Sequence, residues 1–388
     1  MKTLKPRDEL AKEFEEYVDS RLGEIERMLV TLARIPAPSG KEEKRAEFCR
    51  DLLLRAGSKD VFVDEALNVV LPIGVSGDAD QPLRVVMAHS DVVFPDEDEL
   101  PLSVDNDGKC IRCPGILDDT VNAVALLVTA EFLLKKGIVP RNFGLLLVVN
   151  SCEEGLGNLK GSRMIADTYG ERIKEFVSFD MGNCSGADRA VGSERYRVEV
   201  RTEGGHSFGN FGNRNAIAYL SRMIAELYEI KVPEKGKTTY NVGTVGGGTS
   251  VNTIAQYAEM LYEFRSDEKE SLDDMREKFV AVVEKYRAEG LDVTVTTVGN
   301  RPCSAGVDEN AMEELRARVQ AAAEKYRGRK VDFKPASTDC NVPLSRGIPA
   351  VCVGFFNGGG SHTREEFFER DSLADGIKAS AQMILCDL

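Results

Sequence analysis

The chain has 388 residues, 42% of them hydrophobic and 29% charged, with a formal net charge of −14. That length exceeds the usual single-core size, so two domains are expected, and the composition excludes a disordered or low-complexity polymer. The acidic balance, with no basic stripe interleaved with aromatics, argues against a nucleic-acid partner, and no apolar run approaches the ~18 residues of a membrane span.

The N-terminal segment lacks the apolar core of a signal peptide. The nine cysteines, an odd number without framework spacing, read as reduced thiols, so a soluble, cytoplasmic chain is the expectation. Cys110 and Cys113 have zinc-ribbon spacing, but no second pair completes four ligands.

In chain order, Leu10, Phe14, Val18, Leu22, Ile25, Met28, Leu29 and Leu32 recur at helical spacing and predict one long helix over residues 8–34, ended by Pro36 and Pro38. Ser39 followed by Glu42 and Glu43 suggests a capping box for a second helix reaching about Leu54, with Gly57 beyond its end. Short apolar runs at 61–63, 69–73, 85–88 and 144–149 predict strands of one sheet. Between them, residues 121–134 form a helix with a broad apolar face, so strand and helix alternate as in an α/β layer fold.

Residues 195–297 predict the order β-α-β-β-α-β: strands at 196–202, 239–245, 256–265 and 292–298, helices at 216–230 and 271–287. That order matches the ferredoxin-like split βαβ pattern, which closes on itself and can be inserted in a host. A helix at 309–327 and a strand at 350–354 then resume the first style, so the first domain is discontinuous. The expected division is 1–194, 195–298 and 299–388.

Only three histidines occur, His89, His206 and His362, and each sits beside glycines, acids or hydroxyl residues rather than on an apolar face. His89 and Asp91 project from the end of the strand at 85–88, where a scaffold holds ligands rigidly. An aspartate placed there can accept the second ring N–H of a histidine. Asp118 and Asp119 stand where a helix opens; one can cap it, and a carboxylate left over has an oxygen for each of two cations.

Glu153 and Glu154 end the apolar run at 144–149, so one can coordinate a metal while its neighbour takes a proton from a metal-held water. Asp180 ends a further apolar run at 176–179, and His362 lies in a loop where Gly358, Gly359 and Gly360 let backbone approach a ligand closely. Together His89, Asp118, Glu154, Asp180 and His362 offer two imidazoles and three carboxylates, a donor set that suits zinc and, less tightly, manganese or cobalt. No Gly-x-Ser-x-Gly elbow or Cys/His signature competes with it.

These residues, with the segments at 35–40, 204–207 and 337–341, resemble the dinuclear-zinc aminopeptidases, carboxypeptidases and deacylases typified by peptidase T, carboxypeptidase G and aminoacylase. The resemblance runs nearly end to end. It implies an α/β catalytic domain with a central, mostly parallel sheet, plus an inserted ferredoxin-like α+β lid and dimerisation domain, hence a homodimer. It further implies two zinc ions per subunit, with Asp118 bridging them, His89 and Asp180 completing one site, and Glu154 and His362 the other.

By the same likeness Glu153 is the general base, Asp91 orients His89, and His206 reaches the partner's active site to stabilise an oxyanion. Asn252, Arg265 and the backbone at Gly360 hold the substrate, Arg265 as a bidentate clamp on a carboxylate. The implied reaction is cleavage of the amide bond of a di- or tripeptide by a metal-bridging hydroxide, with an N-acyl amino acid as the alternative substrate. A non-catalytic homologue would have lost Glu153 or a ligand, and none is missing. Two departures bear on substrate fit: Thr120 and Val121 follow the paired aspartates where relatives often have lysine and glycine, and Phe208-Gly209 follows the lid histidine where Ser-x-Pro is usual.

Overall fold

The computed structural model describes residues 7–386 and 388. Two compact units emerge: one ends at Arg189 and resumes at Gly306, and the other spans Ala190–Ala305. The second is wider than 195–298 at both ends, because its strands Gly192–Arg201 and Asp292–Arg301 pair along their whole length, Ser193 opposite Arg301.

The first unit holds an eight-stranded sheet, in the spatial order Phe62–Val63, Val69–Ile73, Gly144–Asn150, Leu83–His89, Ile173–Phe179, Ala350–Gly354, Ser185–Ala187, Asp332–Phe333. The four strands from Gly144–Asn150 to Ala350–Gly354 are mutually parallel. Their aliphatic side chains are buried almost without interruption, as expected of strands covered on both faces. The helices Arg7–Arg34, Val121–Lys136, Glu309–Arg327 and Leu373–Leu385 pack against one another, and Val121–Lys136 is buried from Val121 to Leu133.

Register decides what this sheet can do. His89 lies opposite Asn150, Ala88 opposite Phe179, and Phe179 opposite Val353. Parallel strands share a direction, so all four release their chains at one edge, neighbouring strands about 4.8 Å apart. The residues that follow, Asp91, Glu153, Glu154, Asp180 and the 355–362 segment, are therefore delivered to the carboxyl edge, where open α/β sheets bind ligands.

One local expectation fails. Helix Glu43–Arg55 has no side-chain cap: it starts only after Glu42, three residues past Ser39, whose hydroxyl donates to Asp91 Oδ2 at 2.6 Å. Glu42 is likewise buried, accepting the amides of Gly40 at 2.9 Å and Cys152 at 3.0 Å. The apparent capping box thus serves long-range contacts.

In the second unit a four-stranded antiparallel sheet runs Thr238–Gly247, Tyr257–Ser266, Gly192–Arg201, Asp292–Arg301. Burial alternates along Tyr257–Ser266, so one face supplies Ala258, Met260, Tyr262 and Phe264 to a core with Leu220 and Met223 of helix Ala216–Tyr228 and Met275 and Phe279 of helix Lys269–Ala288. That separate core explains why the insert closes on itself. No helix among the described residues is long and apolar enough to cross a membrane.

Candidate metal centre

His89 ends its strand with its ring fixed. Nδ1 lies 3.0 Å from the Asp91 carbonyl oxygen, a pure acceptor, so Nδ1 carries the proton and Nε2 is left to face Asp118 Oδ1 at 3.1 Å. The expected carboxylate contact from Asp91 is only secondary, at 3.4 Å. Fully buried, the Asp91 carboxylate accepts the amides of Glu153 at 3.0 Å and Glu154 at 2.9 Å and the Ser39 hydroxyl. It therefore orients the two glutamates as much as the imidazole. Burial works against its ionisation, but His89, Ser39 and the Glu154 amide prevail and hold its pKa below the usual aspartate value.

Neither Asp118 nor Asp119 caps the helix that follows, whose N-terminal Thr120 makes no side-chain cap bond. The peptide bond between the two acids is cis. Asp119 turns inward, accepting the His89 amide at 2.9 Å and the Asn122 side-chain amide at 2.6 Å. Asp118 turns outward, and its two oxygens divide: Oδ1 lies 3.1 Å from His89 Nε2 and Oδ2 3.2 Å from His362 Nε2. The same His362 nitrogen is 3.1 Å from Glu154 Oε1. His362 adopts φ +64, just after Gly360 at φ +76; that bend in an exposed loop brings the imidazole back to the acids.

Three groups of side chains bring ligand atoms within 4.8 Å of one another: His89, Asp118 and Asp180; Asp118, Glu154 and His362; and His89, Glu153 and Glu154. The first two share Asp118. Electrostatics fit a cation in their midst. Burial, followed by the nearby Asp118, pushes Asp180 up to about 7, and burial drives Asp119 well above the aspartate range. His362 rises to about 10 through its contacts with Asp118 and Glu154. Burial alone would depress His89, yet Asp119, Asp118 and Asp91 raise it. Without metal, the protons on these imidazoles are the positive charges the acids have drawn in. Nitrogen and carboxylate donors at such spacing suit zinc.

Two further acids shape the site: Glu366, to which the sequence alone assigns no role, and Asp339, which lies in the 337–341 segment of the resemblance but has no role assigned there. Glu366, buried, accepts the amides of Gly115 at 2.8 Å, Leu117 at 2.8 Å and Asp118 at 2.9 Å, fastening the turn that presents Asp118. Burial raises its pKa to about 7. Asp339, also buried, takes the Asn150 side-chain amide at 2.6 Å.

His206, Asn252 and Arg265 all belong to the second unit. His206 is exposed and pairs opposite Thr253, while the Ser207 amide donates to the Asn252 carbonyl at 2.9 Å. The backbone amides of Phe208 and Gly209 point at His206 Nδ1, at 3.2 and 3.3 Å. Nδ1 must accept from them, so Nε2 bears the hydrogen and is a donor. Arg265 is ion-paired with Glu263, at 3.0 and 3.1 Å, so the expected clamp is already engaged by a carboxylate of its own strand. The Gly360 carbonyl accepts from the Thr363 amide at 2.9 Å and the Thr363 hydroxyl at 2.7 Å.

Fold and site together define a class, the metal-dependent hydrolases. Residues 85–385 match the family model described as Peptidase family M20/M25/M40; the chain belongs to this family and is a hydrolytic metalloenzyme. A comparison with curated proteins finds no match. Among solved structures, the chain is similar to a tripeptidase from Staphylococcus aureus (19% identity, 94% of this chain and 97% of that one, TM-score 0.73). It is also similar to aminopeptidase PepT from Bacillus cereus (20%, 93% and 97%, 0.67) and to the di-peptidase Dug1p from Saccharomyces cerevisiae (14%, 97% and 98%, 0.72). At these identities the likeness is one of fold.

Proposed function

We propose that this enzyme cleaves the amide bond of a small peptide, a di- or tripeptide, at a centre of two zinc ions. The observation that carries the reading is the divided Asp118 carboxylate, one oxygen towards His89 and the other towards His362. His89 and Asp180 would hold one ion, Glu154 and His362 the other, with Asp118 common to both. Bound there, the pair supplies Lewis acidity and a water acidified towards a pKa of about 7.

The chain's own groups do the rest. Glu153, buried beside His89 and Glu154, takes the proton of the attacking water on its carboxylate and returns it to the departing nitrogen. Asp91 keeps that glutamate in place through its backbone amide. His206 offers Nε2–H to the oxygen on which negative charge develops. Asn252 and the Gly360 loop contact the substrate, and Arg265, released from Glu263, takes its carboxylate.

A homodimer is part of this reading, and the second unit's own dimensions support it. His206 and Asn252 lie beyond the Tyr257 end of strand Tyr257–Ser266, and Arg265 lies eight residues along it, a span of about 27 Å. One small substrate meets both ends only if two copies contribute. The nine free cysteines support a reducing, cytoplasmic setting.

The test is a panel of dipeptides, tripeptides and N-acyl amino acids assayed with zinc, cobalt and manganese. The expected result is metal-dependent turnover of a peptide. Turnover confined to N-acyl amino acids would replace the peptidase reading by a deacylase, and no turnover in any arm would overturn both.

A further inference from the structure

Arg45, on helix Glu43–Arg55, is the most anomalous charge in the first unit. It is 1% exposed, and among the described residues no carboxylate forms an ion pair with it. Its acceptors are neutral: the Ile35 carbonyl at 2.8 Å, the Ser90 carbonyl at 2.9 Å, the Thr120 hydroxyl at 3.1 Å and the Ala33 carbonyl at 3.3 Å. Burial lowers the guanidinium to about 10, so it stays charged at neutral pH. A buried cation without an ionic partner is costly, and such a residue persists where its geometry is needed.

The acceptors show what that geometry is. Ala33 belongs to the last turn of helix Arg7–Arg34, whose carbonyls favour a cation. Ser90 sits between His89 and Asp91, and Thr120 immediately follows Asp119. One nitrogen, Nη1, reaches both Ser90 and Thr120. It thereby ties the strand end that carries His89 to the turn that carries Asp118, the two residues whose side chains meet at 3.1 Å. Arginine's planar fork can span three segments at once, whereas lysine's single ammonium cannot. The positive charge also stands behind a set of buried acids, with Asp91 and Glu366 among those that interact with it electrostatically.

We infer that Arg45 is a positioning residue of the metal centre: by bonding Ser90 and Thr120 together it holds His89 and Asp118 at the separation a shared ion requires. The inference rests on the reading of these side chains as metal ligands, but not on the choice of substrate.

The experiment titrates zinc into metal-stripped wild type, R45K, R45M and T120V by calorimetry, with circular dichroism to establish folding and steady-state kinetics on the best substrate of the wild type. Loss of a group supporting a ligand is expected to weaken zinc binding and kcat by about 10- to 100-fold in R45M, with KM little changed. R45K, which keeps the charge but loses the fork, is expected to recover only part of this. Folded R45K and R45M that both bind zinc as tightly as wild type would overturn the inference. If R45M does not fold, R45K decides: weakened zinc binding supports the inference, and wild-type binding overturns it, with T120V read only beside it because that hydroxyl also donates to the Gly115 carbonyl. Zinc uptake is read without substrate, so failure of the peptidase reading leaves this test standing. Wild-type protein that takes up no zinc would sink the metal-centre reading and this inference with it.

Discussion

Replacing Asp91 by asparagine changes one oxygen to an amide nitrogen and leaves the shape intact. In the wild type, Oδ1 accepts the Glu153 amide and Oδ2 accepts the Glu154 amide and the Ser39 hydroxyl, all inside a fully buried pocket. Whichever way the asparagine side chain is turned, its NH2 must face a backbone N–H. One charge-assisted bond, about 1.5–3 kcal/mol, becomes a donor-donor clash. With the nitrogen at Oδ1 the displaced residue is Glu153; with it at Oδ2, Glu154 and Ser39 lose their acceptor. If that energy is spent on keeping Glu153 aligned, it corresponds to a fall in kcat of roughly 10- to 100-fold at about 1.4 kcal/mol per decade. No proposed metal ligand is removed, so zinc content measured with metal in excess should stay near the wild-type level even where the looser support of Glu154 lowers affinity. The assay is steady-state hydrolysis of the best peptide, with metal analysis of the same sample and a thermal melt. A kcat within about twofold of wild type would refute the reasoning, because a correctly aligned base would then not need the carboxylate.

Other perturbations probe the rest of the site. Glu153→Ala should retain zinc and lose turnover, as metal analysis beside a rate measurement would reveal; a variant as fast as wild type removes Glu153 as the base. Mixing that variant with His206→Ala should restore roughly a quarter of wild-type activity, since half of randomly mixed dimers regain one intact site, and no recovery on mixing would argue against a shared site. Zinc uptake by the metal-free protein at pH 7 should release protons. His362, raised from 6.5 to about 10, is protonated there and must lose its proton to ligate. Its ion-pair contribution to the metal-free fold is complete below pH 6.5 and fades as pH rises through about 10, whereas zinc affinity should rise across that window; calorimetry in buffers of different ionisation enthalpy reads the released proton. Glu366→Ala leaves three buried amides without their acceptor and should lower stability by roughly 2–4 kcal/mol, visible as a lower denaturation midpoint.

Much of the catalytic edge was legible without coordinates. Helices Arg7–Arg34 and Glu309–Arg327 and strands Val69–Ile73 and Ala350–Gly354 lie where hydrophobic period places them, because burial of one face or of a short apolar run imposes its own spacing on the chain. The acids and histidines stood out for the same reason: a charge directly after a fully apolar strand has to lie at the edge of the sheet. That logic locates His89, Glu153, Glu154 and Asp180 one strand at a time.

It fails for polar contacts between distant segments. Ser39 looks like a helix cap until the fold puts Asp91 within 2.6 Å of it. Glu366 appears as one acid in an acidic loop, although it organises a turn some 250 residues earlier. Arg45 reads as an ordinary helical cation and is buried. Local sequence thus determined the elements and the edge on which the ionisable groups gather, since both follow from short-range periodicity and from the shared direction of parallel strands. Which oxygen meets which imidazole, and which buried charges hold them there, was decided only by the packing of the whole unit, because hydrogen bonds between remote segments depend on where chains meet and leave no periodic trace.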